Sequence, residues 1–267
     1  MTLDVTLFGA GRMGSALVAG WLETAPERPI HIIDPHPNAQ VQAWARAGRI
    51  TLNTPPRAAH MLVLAVKPQI FPETLPVVRD YMGPDTKVLS VMAGVSLATL
   101  EDRLACTRVA RAMPNTPGMI GKGVTILSVR PDTPPAQIAQ LTELLRPLGT
   151  VEGPIDEALL PAATAVSGCG PAYGFLLVEL MAEAGIQNGL PRDLAYRLAR
   201  RTVEGAGALL LASDESAARL RQNVTSPNGV TQAALEVLMT PEAGPSLFER
   251  AVKAAIARDI ALGKETA

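Results

Sequence analysis

The stretch Leu3-Asp4-Val5-Thr6-Leu7-Phe8-Gly9-Ala10-Gly11-Arg12-Met13-Gly14 decides the fold. Its first half is a short β-type run, and its second half spaces three glycines as GxGxxG. An apolar-periodic segment, Met13 to Leu22, follows at once and reads as a helix. Strand, glycine turn and helix in this order is the arrangement in which a pyrophosphate meets a helix N-terminus. Gly9 makes the tight turn, Gly11 lets the backbone approach the anion, and Gly14 packs helix on strand. The whole turn, Gly9, Ala10, Gly11, Arg12, Met13 and Gly14, is therefore a candidate cofactor site.

Outward from this turn, short apolar runs alternate with helical stretches. Strands are expected at 3–8, 30–33, 61–66, 88–92, 108–112 and 124–129. Helices are expected at 13–22, 39–47, after Pro68, and at 97–104. Continuous apolar runs between helices predict a mainly parallel sheet covered on both faces. Near Asp156 the pattern changes to Ala/Leu-rich segments broken by Gly and Pro, with no convincing strand. Helices are expected there at 158–166, 171–187, 192–211, 217–223, 230–239 and 245–262. The predicted fold class is α/β: a Rossmann-type doubly wound domain over 1–155, then an all-α domain over 156–267.

Length agrees with two domains, since 267 residues divided by about 150 per domain gives about two. Hydrophobic residues are 48% and charged residues 18%, enough for a real core and too apolar for disorder. A formal net charge of -1 offers no basic field for nucleic acid or an anionic membrane. Two cysteines, Cys106 and Cys169, make no disulfide framework, and no His/Cys cluster suggests a metal. The start carries no basic leader pattern, and the longest apolar runs are short of a membrane span. A cytoplasmic protein is expected.

Asp34 ends the second predicted strand, where an acid accepts hydrogen bonds from ribose hydroxyls and repels a 2′-phosphate, favouring NADH over NADPH. His31, His36, Arg46 and Arg57 would supply opposing positive charge, and a turn-forming Asp before Pro35 explains the same residue. Ala65-Val66-Lys67-Pro68 closes the next strand, where ligands of open α/β sheets gather. Lys67 faces either a cofactor or solvent.

The helical half is short of proton acceptors. All three histidines (His31, His36, His60) lie in the first sixty residues, and no lysine stands between Lys122 and Lys253. Oxidising an alcohol needs a base, usually His, Lys or a Tyr–Lys pair; Tyr173 and Tyr196 have no Lys four residues on. An imine is protonated in water and then accepts hydride directly, so hydride transfer to C=N suits these residues better than transfer to C=O.

Asn223-Val224-Thr225-Ser226-Pro227-Asn228-Gly229-Val230-Thr231-Gln232 lies between two predicted helices and opens the second. The amides of Gly229, Val230 and Thr231 at that N-terminus, with the hydroxyls of Ser226 and Thr231, would hold a carboxylate. Ordinary Ser/Thr capping explains the same residues. The helix around Gly174–Gly185 is apolar nearly all round, with only Glu179 and Glu183 as a polar stripe, so a partner subunit is expected to cover it.

Taken together these residues resemble the pyrroline-5-carboxylate reductase family over nearly the whole chain. The matching segments are the glycine turn, Ala65–Pro68, Ala93-Gly94, Arg111-Ala112-Met113-Pro114-Asn115-Thr116-Pro117, Val166–Tyr173 and, above all, Val224–Thr231. The resemblance implies NAD(P)H-dependent reduction of 1-pyrroline-5-carboxylate to L-proline, a small-molecule substrate, no metal, and a homodimer through the helical domain with higher assembly built from dimers. It implies that Ser226 and the amides of Gly229, Val230 and Thr231 hold the substrate carboxylate, and that the Thr231 hydroxyl bonds the ring nitrogen. Ala65, Val66, Lys67, Pro68, Met92 and Ala93 would line the cofactor, with Met113, Asn115 and Pro117 beside the nicotinamide. Departures from the family pattern fall at Asn228 (usually Gly), Val230 (usually Thr or Ala), Cys169 (usually Ser or Ala) and Asp34 (often small or polar).

Two other readings compete. A β-hydroxyacid dehydrogenase or ketopantoate-type reductase shares the two-domain plan but needs a lysine in the helical domain. A nucleotide-sensing protein with a helical dimer interface leaves 224–231 unexplained.

Overall fold

A computed structural model describes residues 3–265. Eight strands form one sheet: β1 (Val5–Phe8), β2 (Ile30–Ile33), β3 (Thr51–Leu52), β4 (Met61–Leu64), β5 (Lys87–Ser90), β6 (Val109–Pro114), β7 (Gly123–Val129) and β8 (Gly149–Glu152). Their order is β3-β2-β1-β4-β5-β6-β7-β8. Neighbours are parallel except β6 and β7, which run antiparallel. The parallel strands are apolar without alternation because both faces are covered: β1 and β4 are buried at every position.

One face carries α1 (Arg12–Thr24), α2 (Ala39–Arg46) and α5 (Pro135–Leu145) over a core that includes Leu7, Leu17, Trp21, Ile32, Val41 and Leu144. The Trp21 indole also donates to the Leu144 carbonyl at 2.7 Å, joining α1 to α5. The other face carries α3 (Phe71–Asp80) and α4 (Leu97–Leu104) over Phe8, Leu62, Leu64, Phe71, Val88 and Leu100. Helices on both faces of a parallel sheet make the doubly wound plan. Strand order reverses at β1, which puts the switch point between the carboxyl ends of β1 and β4.

Past the sheet the chain is helical: α6 (Leu160–Ala163), α7 (Gly170–Gln187), α8 (Arg192–Ala212), α9 (Ala217–Asn223), α10 (Val230–Leu238) and α11 (Gly244–Glu265). Ser216 caps α9 by accepting from Arg219 N, and Gly189, at φ +95° just past α7, closes that helix in the left-handed region.

The differences from the expected pattern are local. β3, α5 and β8 lie where no element was anticipated. The helix expected over 158–166 is instead a 3-10 turn, the single α turn α6, and a π turn over Thr164–Gly168. The expected boundary at 155/156 is corrected: of the described residues, 3–168 with 255–265 make one compact unit and 169–254 the second. Composition turns helical before packing separates, because Glu157 and Ser167 bond back to the sheet end, to Arg111 and Asn115. The expectation that no segment is long and apolar enough to span a membrane is also corrected. The helical run 157–187 passes that test by length and composition alone, its apolarity being spread over Ala, Gly, Val and Leu.

Candidate active site

The glycine turn sits at the switch point. Gly9 has φ +86°, and a Cβ there would lie 2.8 Å from the Ala65 carbonyl oxygen, so β1 and β4 end in backbone contact. A Cβ at Gly14 would lie 2.2 Å from the Gly9 carbonyl oxygen, which is the helix-on-strand approach expected of it. Gly11 has open space around it and caps α1 without a side-chain hydrogen bond. The first amides of α1 are thus presented to an anion. Arg12 is exposed and Met13 half-buried at this end, while Ala10 is buried.

Beside the turn lies a cavity of about 520 Å³ lined by Ala10, Gly11, Arg12, Ser15, Asp34, His36, Asn38 and Met119, among others. Asp34 accepts from the Ala10 amide at 2.7 Å through Oδ2 and from the His36 amide at 2.8 Å through Oδ1. Asn38 donates to the Ala10 carbonyl and to Ser15 Oγ, and its own Oδ1 caps α2. Ser15, Asn38 and Met119 went unrecognised in the sequence. Asn38 alone gave a signal, as an Asn just before a predicted helix. The cavity and the open helix end fit a dinucleotide: Gly9–Gly14 would hold its phosphates and Asp34 its ribose.

At the end of β4, Ala65 and Val66 are half-buried and Lys67 is exposed, starting the 3-10 turn Pro68–Ile70. Past β5, Met92 is 2% exposed and packs in the core, and its amide donates to Ser90 Oγ at 3.2 Å, while Ala93 beside it is half-buried. Along β6, Met113 is half-buried. The Asn115 side chain is fully used: Nδ2 donates to the Ser167 carbonyl at 3.1 Å and Oδ1 accepts from Val124 N at 2.9 Å. Asn115 therefore shapes the turn before Pro117 rather than offering its amide to a ligand.

In the helical unit, Asn228 has φ +58°, the left-handed conformation its place in the turn requires. Gly229 is needed beside it, since a Cβ there would lie 2.3 Å from Ser226 Oγ. One expectation is corrected here. The Gly229 amide does not point outward; it donates to the Ser226 carbonyl at 3.0 Å and closes the turn. Val230 and Thr231 are the first residues of α10. Their amides precede any intrahelical partner, and both residues are exposed. Ser226 Oγ, the two amides and the Thr231 hydroxyl stand together at this helix end, a cradle that an anion would fit.

Three candidate bases of the helical unit have partners of their own. Lys253 on α11 is exposed and paired with Glu249 at 2.5 Å. Glu183 accepts from the Tyr196 hydroxyl at 2.9 Å and pairs with Arg192. Cys169 is a free thiol bonded to the Tyr173 hydroxyl, whose pKa rises through burial and that neighbour. Among the described residues, no three His, Cys, Asp or Glu side chains converge on a metal position.

Comparison with known proteins adds to this geometry. Residues 157–262 match the family model for pyrroline-5-carboxylate reductase dimerisation, and residues 4–94 match the one for NADP oxidoreductase, coenzyme F420-dependent. The pyrroline-5-carboxylate reductase of Pseudomonas aeruginosa is 35% identical, over 99% of this chain and 98% of its own. That of Synechocystis sp. is 33% identical, over 99% and 100%. Among solved structures, a pyrroline-5-carboxylate reductase from Coxiella burnetii superposes with TM-score 0.88 at 30% identity, covering 98% of this chain and 99% of that one. The Plasmodium falciparum pyrroline carboxylate reductase with NADP bound gives TM-score 0.82 at 27% identity, covering 98% of each. With the glycine turn at the switch point and a matching helical half, this chain belongs to the pyrroline-5-carboxylate reductase family.

Proposed function

We propose that this chain reduces 1-pyrroline-5-carboxylate to L-proline, and that the cradle at Ser226–Thr231 is where the substrate carboxylate docks. The observation that carries the reading is that a member of this family has one open helix N-terminus at Gly11 in its first unit and another at Val230–Thr231 in its second. NAD(P)H supplies the hydride that the C=N carbon accepts. The N-terminal α/β unit, through Gly9–Gly14, Ala65–Pro68 and the Met92–Ala93 backbone, is assigned to hold it, with Met113 and Pro117 near the ring.

The rest of the chemistry asks for orientation rather than acid–base work. The imine nitrogen takes a proton from water, the C=N π pair becomes the nitrogen lone pair as hydride arrives, and the product is the cyclic amine. Ser226 and the amides of Val230 and Thr231 hold the carboxylate, and the Thr231 hydroxyl fixes the ring nitrogen. This agrees with a helical half that has no His and, before Lys253, no Lys for deprotonating an alcohol.

Asp34 tilts the cofactor preference toward NADH, since its carboxylate lines the cavity where a 2′-phosphate would sit. The helical unit is assigned to subunit pairing, in a homodimer and in assemblies of such dimers. Phe175, Leu176 and Leu180 stand 62%, 51% and 60% exposed on α7, an apolar face that a second copy would cover and that explains the span-like run without a membrane. Both cysteines are free thiols, in keeping with a reducing cytoplasm. Purified protein should oxidise NADH and NADPH in the presence of the imine. Turnover with ketopantoate and none with the imine would reverse the assignment.

A further inference from the structure

One carboxylate oxygen gathers two segments of the sheet's ligand-binding edge. Glu157 Oε1 accepts from the Leu97 amide at 2.7 Å and from Arg111 Nη1 at 2.6 Å. Leu97 is the first residue of α4 and ends the loop that leaves β5 with Met92, Ala93 and Gly94. Arg111 lies on β6 between Ser90 of β5 and Ser128 of β7. It is two residues before Met113, and so on the same face of the strand. The Arg111 side chain is only 9% exposed, and its Nε has no partner among the described residues. A buried guanidinium tied chiefly to one carboxylate is costly to leave unpaired, so this contact strongly constrains both segments.

The C-terminal helix closes the same loop from behind. A Cβ at Gly263 would lie 2.8 Å from the Gly94 carbonyl oxygen, and one at Gly94 would lie 3.1 Å from Gly263 N. The loop backbone is therefore seated directly on the end of α11. Asp259, one turn earlier on that helix, is half-buried; burial raises its pKa and the Arg111 charge opposes the rise. Arg111 is thus the cation facing carboxylates from both flanking segments, 157 and α11.

We propose that Arg111 and Glu157 are a positioning pair for hydride transfer, locking the Met92–Gly94 loop and the Met113–Pro117 segment to each other. Neither residue touches substrate in this reading. The inference rests on the assignment of those two segments to the nicotinamide end of the cofactor. The adenosine end is held elsewhere, by Gly9–Gly14 and Asp34, so loosening the pair should spoil the reacting geometry while leaving most cofactor affinity intact. A displacement of about 1 Å at the reacting centre is enough to lower a rate about 100-fold.

The test compares Arg111→Gln, Arg111→Lys, Glu157→Ala and Glu157→Gln with the unmodified protein. Readouts are kcat per folded active site, cofactor Kd by fluorescence titration, and the primary deuterium isotope effect on kcat with deuterated NADH. Arg111→Gln and Glu157→Ala should lower kcat by about 10- to 100-fold, with Kd within about threefold and a larger isotope effect as hydride transfer becomes limiting. Arg111→Lys should recover most of the lost kcat, because an ammonium can still meet Glu157 Oε1. If the truncating variants fail to fold, Glu157→Gln and Arg111→Lys carry the test, since each keeps a hydrogen bond across the pair. The proposal is overturned if kcat of Arg111→Gln and Glu157→Ala (or, where these do not fold, of Glu157→Gln, which removes the charge from the buried pair) stays within about threefold of the unmodified protein, or if kcat and cofactor affinity fall equally. An unmodified protein that does not turn over the imine would instead overturn the functional assignment, a result distinct from either.

Discussion

Asp34 accepts a hydrogen bond from the Ala10 amide at 2.7 Å, so the acid that ends β2 is fastened to the turn that ends β1. The residue assigned to cofactor choice is therefore also a brace for the phosphate-binding turn. Asp34→Ser removes the negative charge from the cavity and the brace together, whereas Asp34→Asn keeps an acceptor for Ala10 and removes only the charge. Both should shift the ratio of kcat/KM values toward NADPH, and Asp34→Ser should additionally raise KM for both dinucleotides. An unchanged NADH/NADPH ratio in steady-state assays would show that the acid does not face the ribose.

Thr231→Ala removes a hydroxyl from the first turn of α10 without disturbing Asn228 or the Ser226–Gly229 turn. Loss of one positioned hydrogen bond, about 1–3 kcal/mol, corresponds to one to two orders of magnitude in turnover or substrate affinity. Thr231→Ser should retain most activity. Kinetics of Thr231→Ala indistinguishable from the parent would remove this side chain from the site.

Much of this was legible from residue types at fixed spacing. The roles of Gly9 and Gly14 follow from backbone approaches that only a missing Cβ permits, and the structure supplies those approaches at Ala65 and Gly9. The turn at Asn228 was legible for a different reason: Asn tolerates the left-handed backbone region, and Asn228 adopts it at φ +58°. What sequence could not carry was which hydrogen-bonding group each side chain spends elsewhere. The Asn115 amide looks free for a ligand until Val124 and Ser167 are brought to it by the fold. The Gly229 amide likewise closes its own turn. Met92 sits in a ligand-facing segment, yet its side chain belongs to the core. The unit boundary was missed for a related reason: helical composition begins near Asp156, but the chain stays bonded to the sheet through Ser167.

The exposed apolar face of α7 predicts assembly. Leu176 and Leu180, four residues apart and 51% and 60% exposed, share one side of the helix. Replacing both with Lys should leave the α/β unit folded and cofactor binding measurable, while shifting the sedimentation-derived mass to that of a monomer. A variant that sediments like the parent would place the subunit contact on another face.

Stability should depend on pH through His31 on β2. Its ring lies between Asp4, at 3.1 Å, and Arg57, with Thr51 on its other nitrogen. Burial, followed by the Arg57 charge, lowers its pKa, and Asp4 only partly offsets them. The folded protein therefore binds this proton less readily than the unfolded chain, where histidine titrates near about 6.5. A depressed histidine contributes its stability fully above that value, and the contribution is lost progressively as pH falls below it toward the folded pKa. Thermal midpoints measured from neutral pH downward should decline in this window for the parent. His31→Gln, which cannot be protonated there, should flatten that part of the profile. An identical slope in both proteins would assign the acid sensitivity to other groups.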